Sequence, residues 1–483
     1  MKAKQNILWI AILGFMATAA VGQQFPSFLS IPNGVPFPNA NGASSTYSTT
    51  GDIDLNNIFF KSIGSNGRSC GTCHQPSDGM SVAAANVELR FDLSGGTDPI
   101  FRTVDGSNCA HNIDVSTVEG RRAAYSLLRT RGLIRIAIAV PANADYDVVS
   151  VSNPYGCNET DTISQYRHPL ASTNLRFLSA LMWDGRESSP LTGTTKILPA
   201  NYPNSLESDL AHQSVDATTG HAQGDGTRPT PAEQQEIVNF EMALFTAQSI
   251  GFDTGRLDVH GATGGPEALA DQPFFIGVNS QIPQFENPNS GPFTPAVFNP
   301  FDAWMKLPYS DPRASVARGE ALFNSTPITI TGVAGLNDPQ AAGGIGVPVV
   351  AGFCATCHDT PNVGNHSFPT PLNIGTGDPD PGNSSTNLGG IDISYLPQIT
   401  IRSKVTGEEK TTTDLGQALI DGKFDHAGKI KCPILRGLSA RAPYFHNGSA
   451  QSLLDVVHFY EKRFGLSFTP QQEKDLVAFL SSL

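Results

Sequence analysis

The sequence predicts a mainly α-helical protein with long loops and few short strands, in two halves that each carry one copy of a five-residue motif. Three observations lead there. Amphipathic segments with recognisable helix starts recur along the chain, and strand signal is confined to short pieces. In addition, 47 glycines and 35 prolines with only 16% charged residues leave long stretches without periodicity. Small helical cores joined by long loops satisfy all three.

From the N-terminus, Lys2 and Lys4 precede an apolar run from Ile7 to Ala20, then small residues before Gln23. That is the layout of a cleaved secretory leader, and the run is short for a bilayer span. We therefore expect a signal peptide over 1–22, a periplasmic or otherwise exported chain, and no integral membrane span after the cut. The formal net charge of −13 argues against nucleic acid as a partner and leaves a basic protein partner open.

"STVEGRRAAYSLLRTRG" has Ser116 and Glu119 at capping-box spacing and closes on Gly132. "TPAEQQEIVNFEMALF" opens with Thr230, Pro231 and Glu233 and sets Ile237, Phe240 and Leu244 on one helical face. "TPQQEKDLVAFLSSL" repeats the device with Thr469, Pro470 and Gln472 and offers Leu476, Phe479, Leu480 and Leu483 to a core. Strand signal is limited to pieces such as "LIRIAIAVP" (133–141) and "DVVSVS" (147–152), while 327–352 and 373–392 read as long loops. "KLPYSDPRA", ahead of the helix "SVARGEALF", divides the mature chain into 23–308 and 309–483.

The chemistry sits in "SCGTCHQ" (Cys70, Cys73, His74) and "FCATCHD" (Cys354, Cys357, His358). Two thiols three positions apart can add to the two vinyl groups of one haem, and the adjacent histidine then faces the iron. Zinc would want paired C-x-x-C units or histidines at finger spacing, and a redox dithiol would want a βαβ setting. Neither surrounds these motifs. Each half is thus expected to be a cytochrome c-like domain with one covalent haem, held by Cys70, Cys73 and His74 or by Cys354, Cys357 and His358. Of the remaining thiols, Cys109 and Cys157 lie in turn-rich stretches where a disulfide could pin a loop, and Cys432 in "IKCPILRG" reads as buried and inert.

These motifs, with "LMWDGRES" (181–188) between them and "LRGLSARAPYFHNGSAQSLLDVVHFY" (435–460) after the second, resemble the bacterial di-haem cytochrome c peroxidase and MauG superfamily. The likeness is good around those anchors and poor over 75–165 and 250–310. It implies that Trp183 lies between the haems as a relay, that peroxide reacts at the haem of His74, and that the haem of His358 stores or passes electrons. A tryptophan before a turn-like "DGR" can also be an ordinary core residue. The resemblance further implies a glutamine and a glutamate beside the peroxide. Gln213 matches the glutamine, and the acid position falls at His221 to Gln223, where no glutamate stands. His221, with an ordinary pKa of about 6.5, could move the proton or close the iron, and is otherwise a solvated loop histidine. His168 in "YRHPLASTN" is a further candidate for a sixth ligand. A Ca2+ between the domains is also implied, although Arg441 stands where some members offer an oxygen.

In 452–463, Leu453, Val456, Val457, Tyr460 and Phe464 form an apolar stripe, and Asp455, His458 and Lys462 a polar one. His458 and Tyr460 are about 200° apart on a helix and cannot face one iron. Tyr460 is the core-facing member, and the resemblance puts it where the peroxidases carry the methionine ligand of the second haem and MauG carries a tyrosine. A phenolate favours oxidised iron, whereas a thioether raises the potential. The alternative is a packed tyrosine whose hydroxyl finds a neighbour.

The expected function is a di-haem oxidoreductase that reduces hydrogen peroxide with electrons from a small c-type cytochrome or another redox protein. Trp183, Gln213, His221 and Gln223 are the candidate catalytic residues. MauG-like oxidation of a protein substrate, a non-enzymatic di-haem electron carrier and an oxygenase stay open beside it.

Overall fold

The described residues of the computed structural model, 29–188, 204–281, 291–339 and 344–483, form helices, several of which start on side-chain caps, and small antiparallel sheets that tie distant segments together. The leader expected over 1–22 lies outside these residues.

Helix α1 (Ala84–Ser94) stops at left-handed Gly95. The "STVEGRR" segment forms two short helices, α2 (Val118–Ala124) and α3 (Ser126–Arg131), broken at Tyr125 and closed by Gly132. Their cap is Thr117 and not the expected Ser116, because the Ser116 N–H is held by the Asp114 carboxylate at 2.8 Å, which moves the first free hydroxyl one residue on. Helix α4 (Asn204–Gly220) follows, then α5 (Pro231–Ala243) with the expected Thr230/Glu233 capping box. Helix α6 (Pro312–Ser325) is capped by Asp311, α7 (Leu453–Phe464) by a Ser452/Asp455 box, and α8 (Pro470–Ser481) by the expected Thr469/Gln472 box. Helices α6 and α8 meet at Gly319, where a Cβ would overlap the Asp475 carbonyl.

Strands are more numerous than the sequence suggested. Ile134–Ala139 pairs with Thr162–Arg167, and Tyr146–Ser152 pairs with Gln398–Ser403, which turns back onto Glu409–Thr412. A four-stranded sheet runs Phe37–Asn39, Gly42–Ser48, Leu244–Gly251, Gly255–Arg256. Leu244, expected on a helix face, therefore opens a strand; pairing with Gly42–Ser48, about two hundred residues away, overrides local helical preference. Both predicted long loops contain hairpins, Ile328–Thr331 with Val349–Gly352 and Pro379–Asp380 with Asn383–Asn387. Packing also crosses 305–312. One core joins Leu257, Phe298, Phe301 and Trp304 to Val316, Phe323 and Phe479, and the Leu483 carbonyl accepts the Gln248 N–H at 3.2 Å. Among the described residues, no helix is long and apolar enough to cross a membrane.

Candidate functional site

The two C-x-x-C-H stretches fold alike, as 3₁₀ turns over Cys70–Thr72 and Cys354–Thr356. In each, the threonine hydroxyl accepts the N–H of the residue ahead of the first cysteine, Ser69 at 2.9 Å and Phe353 at 3.0 Å. Each histidine N–H then donates to the first cysteine carbonyl, at 3.0 Å in both. The imidazoles are fixed by the same device. His74 Nδ1 donates to the Met80 carbonyl at 3.0 Å and His358 Nδ1 to the Gly364 carbonyl at 2.5 Å. Because a carbonyl only accepts, the proton sits on Nδ1 and Nε2 keeps its lone pair for a metal. Burial holds both imidazoles down to about 4, so they are neutral at neutral pH. Burial also pushes Cys70, Cys354 and Cys357 up to about 12, opposite to the depressed thiol that a redox dithiol requires.

Cys70, Cys73 and His74 open onto a cavity with about 1580 Å³ of space free of protein atoms, its mouth included. One wall is the inner face of α4 (Leu210, Gln213, Ser214, Ala217, Thr218); another carries Trp183 and His168, and a third carries Lys431, Arg436 and Arg441 from the second half. Lys431 and Arg436 are buried and Arg441 is half-buried. Burial lowers Lys431 to about 8 and both guanidiniums to about 10. Arg436 Nε and Nη1 and Arg441 Nε have no hydrogen-bond partner among the described residues. Buried cations with unpaired donors are costly unless an anion meets them. A haem, flat and apolar with two carboxylates, matches this set of thiols, imidazole, apolar wall and open cationic donors. The residues present fit it.

Gln213 and His221 both line this cavity, as expected, and Gln223 does not. Gln223 turns to the rim, where its carbonyl accepts from the Ser65 hydroxyl at 2.8 Å and its Oε1 from Asn66 at 3.3 Å. The His221 side chain is 36% exposed and is held in place, with its Nδ1 2.5 Å from the Asp105 carboxylate. Asp105 in turn accepts from Arg68 Nη1 at 2.5 Å, and both are buried. Burial would raise the Asp105 carboxyl, but His221 and Arg68 outweigh it and hold it below the ordinary carboxylate range. Asp105 lies in the stretch that the resemblance covers poorly, and no local pattern in "TVDGSN" pointed to it. The Cys109–Cys157 disulfide fastens the same stretch.

Trp183 is buried on the cavity wall; its indole N–H donates to the His168 carbonyl at 2.7 Å and its ring stands edge-on to His446 at 6.1 Å. The motif around it is locked because Asp184 takes both Arg167 and Arg186, while Arg167 reaches Asp414 with two hydrogen bonds at 2.7 and 2.8 Å. The Trp183 carbonyl accepts the Lys431 N–H at 2.7 Å. The next residue, Cys432, puts its Sγ 3.3 Å from His358 Nδ1. Cys432, expected to be buried, is only half-buried, and it touches His358, a contact its apolar flanks did not signal. His168 also lines the cavity, with Nδ1 3.1 Å from the Pro169 carbonyl.

The second motif has its own set of neighbours. Phe323 stands 6.0 Å from His358, and Cys354 and Cys357 border a core of Ile328, Ile330, Val333 and Phe368. Helix α7 turns Tyr460 toward this region: burial first, then the nearby Cys432, Cys357 and Cys354 thiols, push its phenol well above its ordinary pKa. His458 faces outward, 3.7 Å from Glu473. The stripe assignment omitted Phe459, which is fully buried against Gly389 and 4.8 Å from Phe445, because α7 is covered on two sides. At the segment suggested for Ca2+, the Arg441 guanidinium takes the Ile434 and Arg436 carbonyls at 2.7 and 3.0 Å.

No family model matches the chain. Over 204 residues it is 26% identical to the cytochrome-c peroxidase IdrP1 of Denitromonas iodatirespirans, covering 38% of this chain and 44% of that protein. Over 81 residues it is 33% identical to the IdrP1 of Pseudomonas sp. (strain SCT), covering 14% and 21%. The chain therefore spans less than half the length of these relatives and is a distant relative of cytochrome-c peroxidases over that part. The crystal structure of a MauG-like protein associated with microbial copper homeostasis aligns over 96% of this chain and 95% of that one, at 14% identity and a TM-score of 0.34.

Proposed function

We propose that this chain is an exported di-haem c-type oxidoreductase that reduces hydrogen peroxide in the His74 cavity. Electrons would come through Trp183 and the His358 site from a small c-type cytochrome or another redox protein. The observation that carries this reading is the His221–Asp105 pair, an oriented acid/base group in the cavity that holds His74. Two electrons and two protons turn hydrogen peroxide into two waters, and bound haem supplies the redox chemistry for that exchange. Asp105 keeps the His221 proton on Nδ1, so Nε2 is the atom that takes a proton from the substrate and returns it. Gln213 offers the substrate an amide from the same wall. The Trp183–Lys431–Cys432–His358 contacts supply a short route between the two sites.

Stopped-flow spectroscopy of the oxidised and half-reduced protein with peroxide tests this. A rapid spectral change and turnover with a reduced c-type cytochrome are expected. Two low-spin haems inert to peroxide would leave an electron carrier. The approach of Tyr460 to Cys354 and Cys357 favours a second reading, oxidation of a protein substrate, which would appear as peroxide consumption without a cytochrome donor.

A further inference from the structure

Helix α5 gives the first cavity two wall residues, Ile237 and Glu241, one turn apart on the same face. Glu241 is 5% exposed, and its Oε2 is buried with no hydrogen-bond partner among the described residues. It also stands in the last turn of α5, where the helix dipole disfavours a negative charge. An apolar side chain would line this wall without either cost. Glu241 belongs neither to the His221–Asp105 pair nor to the contacts between Trp183 and His358.

Burial pushes this carboxyl up to about 8, so the acid holds its proton at neutral pH. From the first motif the Cys70 thiol faces it, raised by burial and then by the Glu241 charge; haem attachment turns that thiol into a thioether. The Ile58–Phe60 turn packed on α5 carries no charge, and Arg176 of the Leu175–Phe177 turn lies over the Phe177 and Phe245 rings. On α4, Asp209, His212 and Asp216 gather at Glu187. Within α5 itself, Glu233 takes Arg228 and Glu236 takes the Ile58 N–H. Lys431, Arg436 and Arg441 share the cavity with Glu241.

Peroxide reduction takes up two protons per turnover, one with each electron. The exchange at His221 Nε2 moves the peroxide's own proton from one oxygen to the other and brings in none. Both protons must therefore reach the cavity by another group. We propose that Glu241 is a proton-delivering residue of the first cavity, giving its carboxyl proton to the oxygen that leaves as water and taking another from solvent between turnovers. The carboxyl O–H bond breaks and a water O–H bond forms as one electron arrives from the donor protein. The second proton comes from water at the cavity mouth. The inference rests on peroxide reduction in this cavity.

The test takes the haem-loaded full chain and measures two pH profiles: the reduction potential of the His74 haem without peroxide, and peroxide turnover. An added electron makes the nearby acid hold its proton more firmly, so reduction takes up a proton once the oxidised form has lost it. In the wild type the potential should fall, and turnover decline, as pH rises through about 8. Glu241→Gln keeps the shape without a transferable proton. Both declines should vanish, and its turnover at every pH should match the low level that the wild type shows above about 8, with haem content and spectra unchanged. Glu241→Asp should restore both declines. A wild-type potential independent of pH, or profiles shared by wild type and Glu241→Gln, would overturn the inference while peroxide is still consumed. A wild type inert to peroxide at every pH would instead overturn the peroxidase reading, and the inference with it.

Discussion

The turn at Cys70 and the turn at Cys354 share the same backbone hydrogen bonds, the same threonine cap and the same carbonyl-held imidazole. Their surroundings differ. The first opens onto a cavity where Arg436 and Arg441 keep donors unpaired among the described residues, and where His221 is aligned by Asp105. Around the second lie Phe323, Cys432 and the Tyr460 helix, packed close to His358. The local motif is thus the same at both places, and the groups brought to it from far along the chain set the two places apart.

The strongest way to break that comparison is to remove each pair of thiols in turn. Cys70→Ser with Cys73→Ser, and Cys354→Ser with Cys357→Ser, should each leave one covalent haem in a pyridine haemochrome assay. Only the first should abolish the direct spectral response to peroxide; an equal loss from both would mean the surroundings do not separate the sites. Next, His221→Gln should lower peroxide turnover about 10²- to 10⁴-fold with both haems retained. Asp105→Asn should do less to turnover but leave Arg68 buried without its partner, at a cost of roughly 3–5 kcal/mol in chemical denaturation.

A smaller effect follows from the disulfide. Cys109→Ser with Cys157→Ser opens a link across 48 residues and should lower stability by about 2–4 kcal/mol. Because Asp105 lies four residues before Cys109, the same variant should slow peroxide turnover while the spectrum of the second site stays unchanged. A uniform change at both sites would show that the fastened stretch serves the whole fold and not the first cavity.

These contrasts were unevenly legible in the sequence. Spacing alone picked out the two C-x-x-C-H stretches, and helical phase set Tyr460 inward and His458 outward, because both signals are local. Capping boxes at Thr230 and Thr469 placed two helices for the same reason. The four-stranded sheet and the strand at Gln398–Ser403 escaped notice, since each alternates over only a few residues and is stabilised by a partner hundreds of residues away. Asp105, Arg436 and Cys432 escaped for the same physical reason: what makes them part of a site is proximity in space, and nothing in their immediate neighbours encodes it.

The least effect, and the sharpest comparison, concerns two buried glutamates. Glu241 lines the first cavity with Oε2 unpaired among the described residues, and burial pushes its carboxyl up to about 8. Glu320, on α6, is also raised to about 8 by burial, yet it accepts the Phe301 N–H at 3.0 Å. An unfolded glutamate ionises at about 4.3. Each carboxyl therefore stays protonated in the folded chain where the unfolded chain has already lost its proton. The stability each contributes is full below about pH 4.3, falls as pH rises, and is gone above about 8. Glu241→Gln and Glu320→Gln should each flatten that decline in melting temperature between pH 5 and 8. Only Glu241→Gln should also shift the pH profile of peroxide turnover, because only that proton faces the cavity. A profile moved by Glu320→Gln, or unmoved by Glu241→Gln, would place the proton store outside the first site and remove one of the differences between the two regions.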